Sequence, residues 1–311
     1  MKQVTDTVLM VRPAAFRMNE QTAVNNYFQE DVSLKNEEIN LKAQQEFDAF
    51  VDKLKAAGVG VLVLQDKKEL DTPDSIFPNN WVSTHANGDV AVYPMYAENR
   101  RRERRNEFFE LLEDSGFEIK NVVDYTEAEE EGVFLEGTGS IILDRENEKA
   151  YCALSARADE DLFVEFCEDF GYLPVIFTAY QSVASKRLPI YHTNVMMCIA
   201  EEFAVICLES IDDKKERKLV VKQLKESGKE VIAISEKQMH QFAGNMLQVK
   251  NNAGKKYLVM SASAHNALKE NQIEAITKYC DILSSDLETI ETCGGGSARC
   301  MMAEIFLPKA N

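Results

Sequence analysis

Positive charge is scarce in this 311-residue chain, where 35 lysines and arginines stand against 52 aspartates and glutamates and the formal net charge is −17. A field of that sign repels nucleic-acid phosphates and anionic membrane surfaces, so neither is an expected partner. Histidine is scarcer still, with four residues, and no C-x-x-C or H-x-x-x-H spacing occurs. The usual zinc arrangements are excluded, and we expect no metal. No G-x-x-x-x-G-K-[ST] run is present, and "GTGS" lacks the third glycine and the strand-to-helix context of a dinucleotide loop. No organic cofactor is expected. Apolar runs stop short of the roughly 18 residues a membrane span needs, and the N-terminal "MKQVTDTVLMVRP" has no signal-peptide core. The seven cysteines are an odd, scattered set, mostly in apolar stretches such as "VMMCIA" and "VICL", which reads as reduced thiols and not a disulfide framework. A soluble, cytoplasmic protein is the expectation.

What is present is a large apolar fraction, 45%, enough for a sizeable core. Length alone would allow two average domains. The one cationic run, "NRRRERRNEFF", opens a helical pattern, where the helix dipole disfavours cations. Two readings stand: a solvated helix face paired with Glu103 and Glu107, or an anion or subunit contact.

Amphipathic helical patterns recur, and four of them stop at a glycine followed by an apolar strand: "EFDAFVDKLKAAG", "NEFFELLEDSG", "EDLFVEFCEDFG" and "RKLVVKQLKESG". Gly58, Gly116, Gly171 and Gly228 therefore recur every 55 to 58 residues, at positions where a left-handed cap turns the chain into a strand. A fifth pattern, "ALKENQIEAITKYC", lacks the glycine but precedes the strand-like "DILSS". A second series has the same period: "FPNNWVSTH", "LEGTGSIIL", "YHTNVMMCI", "FAGNMLQV" and "GGSARCMMAEI". Each unit reads strand, polar or glycine-rich tag, strand, helix, strand. The last tag lacks its helix, and "TDTVLMVRPAAF" with the first helix supplies the matching half. Joining the ends closes a ring, unlike an open solenoid with capping repeats. The expectation is one α/β domain over residues 1–311, a five-fold pseudo-symmetric α/β propeller of ββαβ-type units with its tags meeting near the axis.

Read as one site, the tags assemble Asn79, Asn80, Glu136, His192, Asn194, Asn245 and Cys300. A thiol, an imidazole and a carboxylate form an inventory for covalent catalysis: the thiolate attacks, the imidazole moves protons, the carboxylate orients. Glycines 294–296 would let backbone N–H groups approach a reacting centre. Taken singly, each feature has a structural reading: a core histidine, a turn carboxylate, a loop glycine run, a buried inert thiol. Their coincidence at equivalent phases of one repeat favours a site.

"FPNNW", "LEGTGS", "HTN" and "GGGSARCM", in that order, resemble the guanidino-group-modifying superfamily of arginine deiminase, dimethylarginine dimethylaminohydrolase and the amidinotransferases. The chain is most similar to its amidinotransferase-like citrulline-utilisation branch. The resemblance implies the five-bladed propeller (pentein) fold, a covalent adduct on Cys300, His192 as general acid/base, and Glu136 hydrogen-bonded to substrate nitrogens. It also implies, through "LSARAD", that Arg157 holds the substrate α-carboxylate; a bidentate arginine–carboxylate pair is the physical reason to want one, and a surface arginine is the alternative. Arginine deiminases carry aspartates where this chain has Asn80 and Asn194. A guanidinium offers only donors and wants anions, whereas a ureido group is neutral and has an acceptor carbonyl, which an amide can match. The resemblance and this departure together point to L-citrulline, hydrolysed to ornithine, ammonia and carbon dioxide, with Asn80, Asn194 and Asn79 as substrate-binding candidates. The alternatives are an arginine deiminase or amidinotransferase acting on a guanidino substrate, and a non-catalytic propeller such as the ribosome-associated translation factor of this fold. The partner is a small ureido or guanidino amino acid, and a homo-oligomer is left open.

Overall fold

A computed structural model describes residues 2–310; the first and last positions of the expected 1–311 domain lie outside the described residues. The fold is mixed α/β. Four sheets share one strand pattern, an antiparallel hairpin followed by a helix and then a strand parallel to the second hairpin strand. They are Val82–Thr84, Asp89–Val92 and Asn121–Asp124; Ile141–Asp144, Lys149–Leu154 and Leu173–Thr178; Met197–Ile199, Phe203–Ile206 and Glu230–Ala233; and Leu247–Lys250, Lys256–Ser261 and Asp281–Ser285. In the remaining three-stranded sheet Thr7–Arg12 lies between the parallel Gly60–Gln65 and the antiparallel Ala303–Glu304, with Leu9 opposite Ala303, so the two ends of the chain share one sheet.

The period in the sequence corresponds to these units. Helices Asn36–Ala56, Asn106–Asp114, Glu160–Phe170, Lys214–Glu226 and Glu270–Thr277 each lead into the parallel strand. The four expected stop glycines have positive φ: 83° at Gly58, 78° at Gly116, 71° at Gly171 and 73° at Gly228. A side chain there would meet the left-handed penalty of about 1 kcal/mol or more. Asp159 and Asp213 cap the third and fourth of these helices by accepting from first-turn N–H groups.

Burial follows periodicity. In Asn36–Ala56 the buried residues Ile39, Ala43, Phe47, Phe50 and Leu54 fall three or four apart and pack against Val8 and Met10 of the first strand and Ile290 of a later helix. Full burial of Phe47 and Phe50 is worth roughly 1.5–3 kcal/mol each. The second hairpin strand Phe203–Ile206 is buried along its whole length, as expected of a strand covered on both faces.

Three features were not anticipated. A two-stranded hairpin, Tyr180–Val183 with Lys186–Pro189, follows strand Leu173–Thr178. Helix Glu288–Gly294 occupies the stretch before the glycine run. The arginine run forms a short 3-10 segment, Glu98–Glu103, ahead of Asn106–Asp114. Its solvated-face reading fails at Arg100, which is 2% exposed. Among the described residues no helix is long and apolar enough to cross a membrane. All seven cysteines are free and buried.

Candidate functional site

The five tags are short, tightly packed turns. Pro78–Asn80 is one 3-10 turn with proline at its first position, Thr193–Val195 is another, and Gly137–Ser140 is a single α-turn. Close approach explains the glycines. A Cβ on Gly137 would lie 2.5 Å from the Asn79 carbonyl oxygen; one on Gly139 would lie 2.5 Å from Asn80 Nδ2 and 2.9 Å from the His192 ring. Thr193 Oγ1 donates to the Ser140 carbonyl at 2.6 Å, tying the second tag to the third.

Within this knot His192 Nε2 and Glu136 Oε2 are 2.7 Å apart. The other Glu136 oxygen accepts from the Tyr96 N–H at 2.9 Å, and Arg157 and Arg100 stand 3.5 Å and 3.9 Å from Oε2. Burial pushes the Glu136 pKa up, but Arg157, the His192 hydrogen bond and Arg100 outweigh it and hold the carboxyl ionised. Burial lowers His192, Glu136 opposes this, and the two arginines add to it, so the imidazole is neutral at neutral pH. Neutral imidazole donating to an ionised carboxylate leaves its second nitrogen free as a base. If His192 is the general base, the acid limb of kcat/KM in the free enzyme should lie below the ordinary imidazole value of 6.5, and Glu136→Gln should move it lower still. A limb at or above that value in a pH–rate profile would contradict the assignment.

Cys300 is 2% exposed. Its Sγ accepts from Asn194 Nδ2 at 3.3 Å and from Asn245 Nδ2 at 3.2 Å. A small pocket lined by Cys300 is also walled by Phe77, Asn80, Arg157, Tyr191 and His192. Cys300, His192 and Asn80 thus meet at the pocket, with Asn194 behind the sulfur and Glu136 behind the imidazole. Asn79 is not on the wall: its Oδ1 accepts from Asn80 Nδ2 at 3.0 Å and its carbonyl accepts from Thr138. Arg157 is on the wall and 1% exposed, not at the surface, and donates to Thr22 O and Asn25 Oδ1. The glycines serve packing: Cβ atoms on Gly294 and Gly296 would lie 2.8 Å and 2.9 Å from the Phe77 ring, and Gly295 ends a helix with φ 61°.

Sequence reasoning missed several wall residues. Arg100 donates to Asn80 Oδ1 at 2.7 Å and pairs with both oxygens of Glu103 at 2.9 Å and 3.0 Å. The i,i+3 spacing of Arg100 and Glu103 was the available signal. Asp74, 3% exposed, keeps Oδ1 unpartnered while Oδ2 accepts from Asn19 and Thr22. Residues 19–29, polar and without period, fold over the pocket: Asn26 and Gln29 donate to the Gly294 carbonyl.

The family model described as N,N dimethylarginine dimethylhydrolase, eukaryotic, matches residues 12–307. No curated protein matches the sequence. Among solved structures, the apo form of ArgZ, an arginine dihydrolase from the ornithine-ammonia cycle in Cyanobacteria, superposes with TM-score 0.72 at 17% identity, over 98% of this chain and 42% of that one. This chain thus spans about two fifths of the whole cyanobacterial protein. The N-terminal domain of ArgZ, a cysteine-to-serine mutant bound to substrate, matches with TM-score 0.70 at 16% identity over 97% of this chain and 99% of that one. A cysteine-to-serine mutant of DDAH from Pseudomonas aeruginosa complexed with citrulline matches with TM-score 0.65 at 14% identity over 97% and 100%. At these identities the structures speak for the fold.

Proposed function

We propose, from the premise that this chain belongs to the N,N dimethylarginine dimethylhydrolase family and so to the guanidino-modifying pentein superfamily, that it hydrolyses the ureido group of L-citrulline. The observation that carries the choice is the ring of neutral amides at the thiol. Asn194 and Asn245 contact Sγ, Asn80 lines the pocket, and no carboxylate hydrogen-bonds the sulfur among the described residues. Glu136 is already shared by His192, Arg157 and Arg100, and Asp74, the carboxylate on the pocket wall, is left in this reading to the substrate's α-ammonium. At the thiol itself a guanidinium would meet amides and no hydrogen-bonding carboxylate; a neutral ureido group has no need of one there.

In this reading the Cys300 thiol passes its proton to the neutral His192, and the thiolate attacks the ureido carbon, forming the C–S bond as the carbonyl electrons move to oxygen. Collapse of the adduct expels a nitrogen, which takes a proton from His192. Water, deprotonated by His192, then attacks the carbamoyl thioester and releases the thiolate. One citrulline and one water give ornithine, ammonia and carbon dioxide. Arg157 would take the α-carboxylate, displacing its contact to Asn25, and the unpartnered oxygen of Asp74 would accept from the α-ammonium. The architecture we propose for this chemistry is a five-bladed α/β propeller in one catalytic domain, without metal or cofactor, in the cytoplasm, where seven free thiols are stable.

Arginine is the second reading, favoured by the family name and by the arginine dihydrolase among the similar structures. Purified protein incubated separately with citrulline and arginine, with ornithine, ammonia and citrulline measured, separates the two. Citrulline formed from arginine with no turnover of citrulline would sink the first. The amide ring makes a finer prediction. Arg100 already donates to the side-chain Oδ1 of Asn80, so the carboxylate introduced by Asn80→Asp would be absorbed as an ion pair. Asn194 Oδ1 has no partner. Asn194→Asp should therefore raise the arginine-to-citrulline ratio of kcat/KM more than Asn80→Asp, by about tenfold for each 1.4 kcal/mol of charge matching. Equal ratios in both variants and the parent would count against it.

A further inference from the structure

Cys300 differs from the other six cysteines in what meets its sulfur. Cys152, Cys167, Cys198, Cys207, Cys280 and Cys293 are buried, and desolvation raises the pKa of each, to about 12 for Cys167 and Cys198. Cys300 is equally buried, yet two amide N–H groups point at Sγ. A neutral thiol has a proton to place and gains from an acceptor; two donors match a thiolate.

The two amides are not equivalent. Asn245 Oδ1 accepts the Arg299 N–H at 3.0 Å, and Nδ2 donates to the Asn194 carbonyl at 3.0 Å as well as to Sγ. Turning this amide over would set Oδ1 against a carbonyl and Nδ2 against an N–H, so only one orientation satisfies the site. Its position is equally fixed: a Cβ on the preceding Gly244 would lie 2.5 Å from the Val195 carbonyl, so the fourth tag is pressed against the third. Asn194, with Oδ1 unpartnered, carries no such lock. It can turn and accept from S–H or from a substrate N–H; Asn245 cannot.

We propose that Asn245 is a further catalytic residue, a fixed amide donor that holds Cys300 Sγ as the thiolate. The inference rests on the reading of Cys300 as the nucleophile. Charged side chains do not supply this stabilisation by contact. Arg299 turns away, donating to the Met302 carbonyl and Glu304, and neither Arg100 nor Arg157 is hydrogen-bonded to the sulfur. Of the titratable groups nearby, Tyr191 donates to the Gly295 carbonyl with its own pKa raised well above the ordinary value by burial, and His192 is turned to Glu136.

The test needs no substrate. Alkylation of Cys300 by iodoacetamide, read by peptide mass so that the other thiols do not confuse it, is followed against pH in the parent, N245D and N245A. Replacing the donor by a carboxylate should move the alkylation midpoint upward by about one pH unit or more, a roughly tenfold loss of thiolate at a given pH below it. N245A should shift it in the same direction by less. If N245D fails to fold in a thermal-unfolding scan, N245A carries the test alone. A folded variant with an unmoved midpoint overturns the proposal, even if turnover falls, because that pattern belongs to a structural residue. The outcome is separate from the substrate assignment, since alkylation is indifferent to whether citrulline or arginine is consumed.

Discussion

Cys300→Ser is expected to lose turnover by at least about 10³-fold while its unfolding free energy stays within about 1 kcal/mol of the parent. The asymmetry follows from the site. A serine hydroxyl is smaller than a thiol by a fraction of an atom radius and can accept from Asn194 and Asn245, which now donate to Sγ at 3.3 Å and 3.2 Å. No buried donor is orphaned, so none of the mechanisms behind large destabilisation applies. Chemistry is another matter, because a hydroxyl is far less acidic than a thiol and the neutral His192 is already engaged with Glu136. Steady-state kinetics, a thermal scan and intact-mass analysis after substrate exposure check the prediction together. The parent should show an adduct on Cys300 and the variant none. Turnover retained in the variant would remove the covalent mechanism, and a collapsed fold would mean that Cys300 is a packing residue.

Much of this site was legible because its residues are held by the repeat. Glu136, the His192–Asn194 pair and Cys300 lie far apart in sequence but at matching phases of units that end on left-handed glycines, and the structure brings them into one knot. Asn79 and Asn80 could not be separated in advance, because neighbours in a 3-10 turn point in different directions and which one meets the pocket depends on the partner that packs against the turn. Arg100 was hidden for a different reason. A run of five arginines within six residues reads as solvated surface, and only tertiary contacts, with Glu103, Asn80 and the Phe77 carbonyl, show that one of them is buried. Asp74 and residues 19–29 left no periodic trace because their role is to close a pocket with polar contacts and not to bury an apolar face.

Arg100→Met should be the most destabilising single change in the site, because the arginine joins three elements at once. It donates to both Glu103 oxygens, to Asn80 Oδ1 at 2.7 Å, and to the Asp74 and Phe77 carbonyls at 3.3 Å and 3.1 Å. Its removal leaves the Glu103 carboxylate, 1% exposed at the side chain, without a cation. Breaking one partner of a buried ion pair costs about 3–5 kcal/mol, whereas replacing both with apolar groups is often neutral. The single variant should therefore unfold on the order of 10 °C lower, and Arg100→Met with Glu103→Leu should recover most of that loss. Activity should not recover with stability. With no donor on its Oδ1, the Asn80 amide keeps only its bond to Asn79, and the preorganisation that the arginine supplies is gone. A thermal scan and a citrulline assay on the parent, both single variants and the double variant form a cycle that isolates the pair. An unchanged unfolding midpoint in the single variant, or a double variant no more stable than it, would show that Arg100 is not the structural keystone of the pocket. A double variant that regained full activity would show that its hydrogen bond to Asn80 is dispensable.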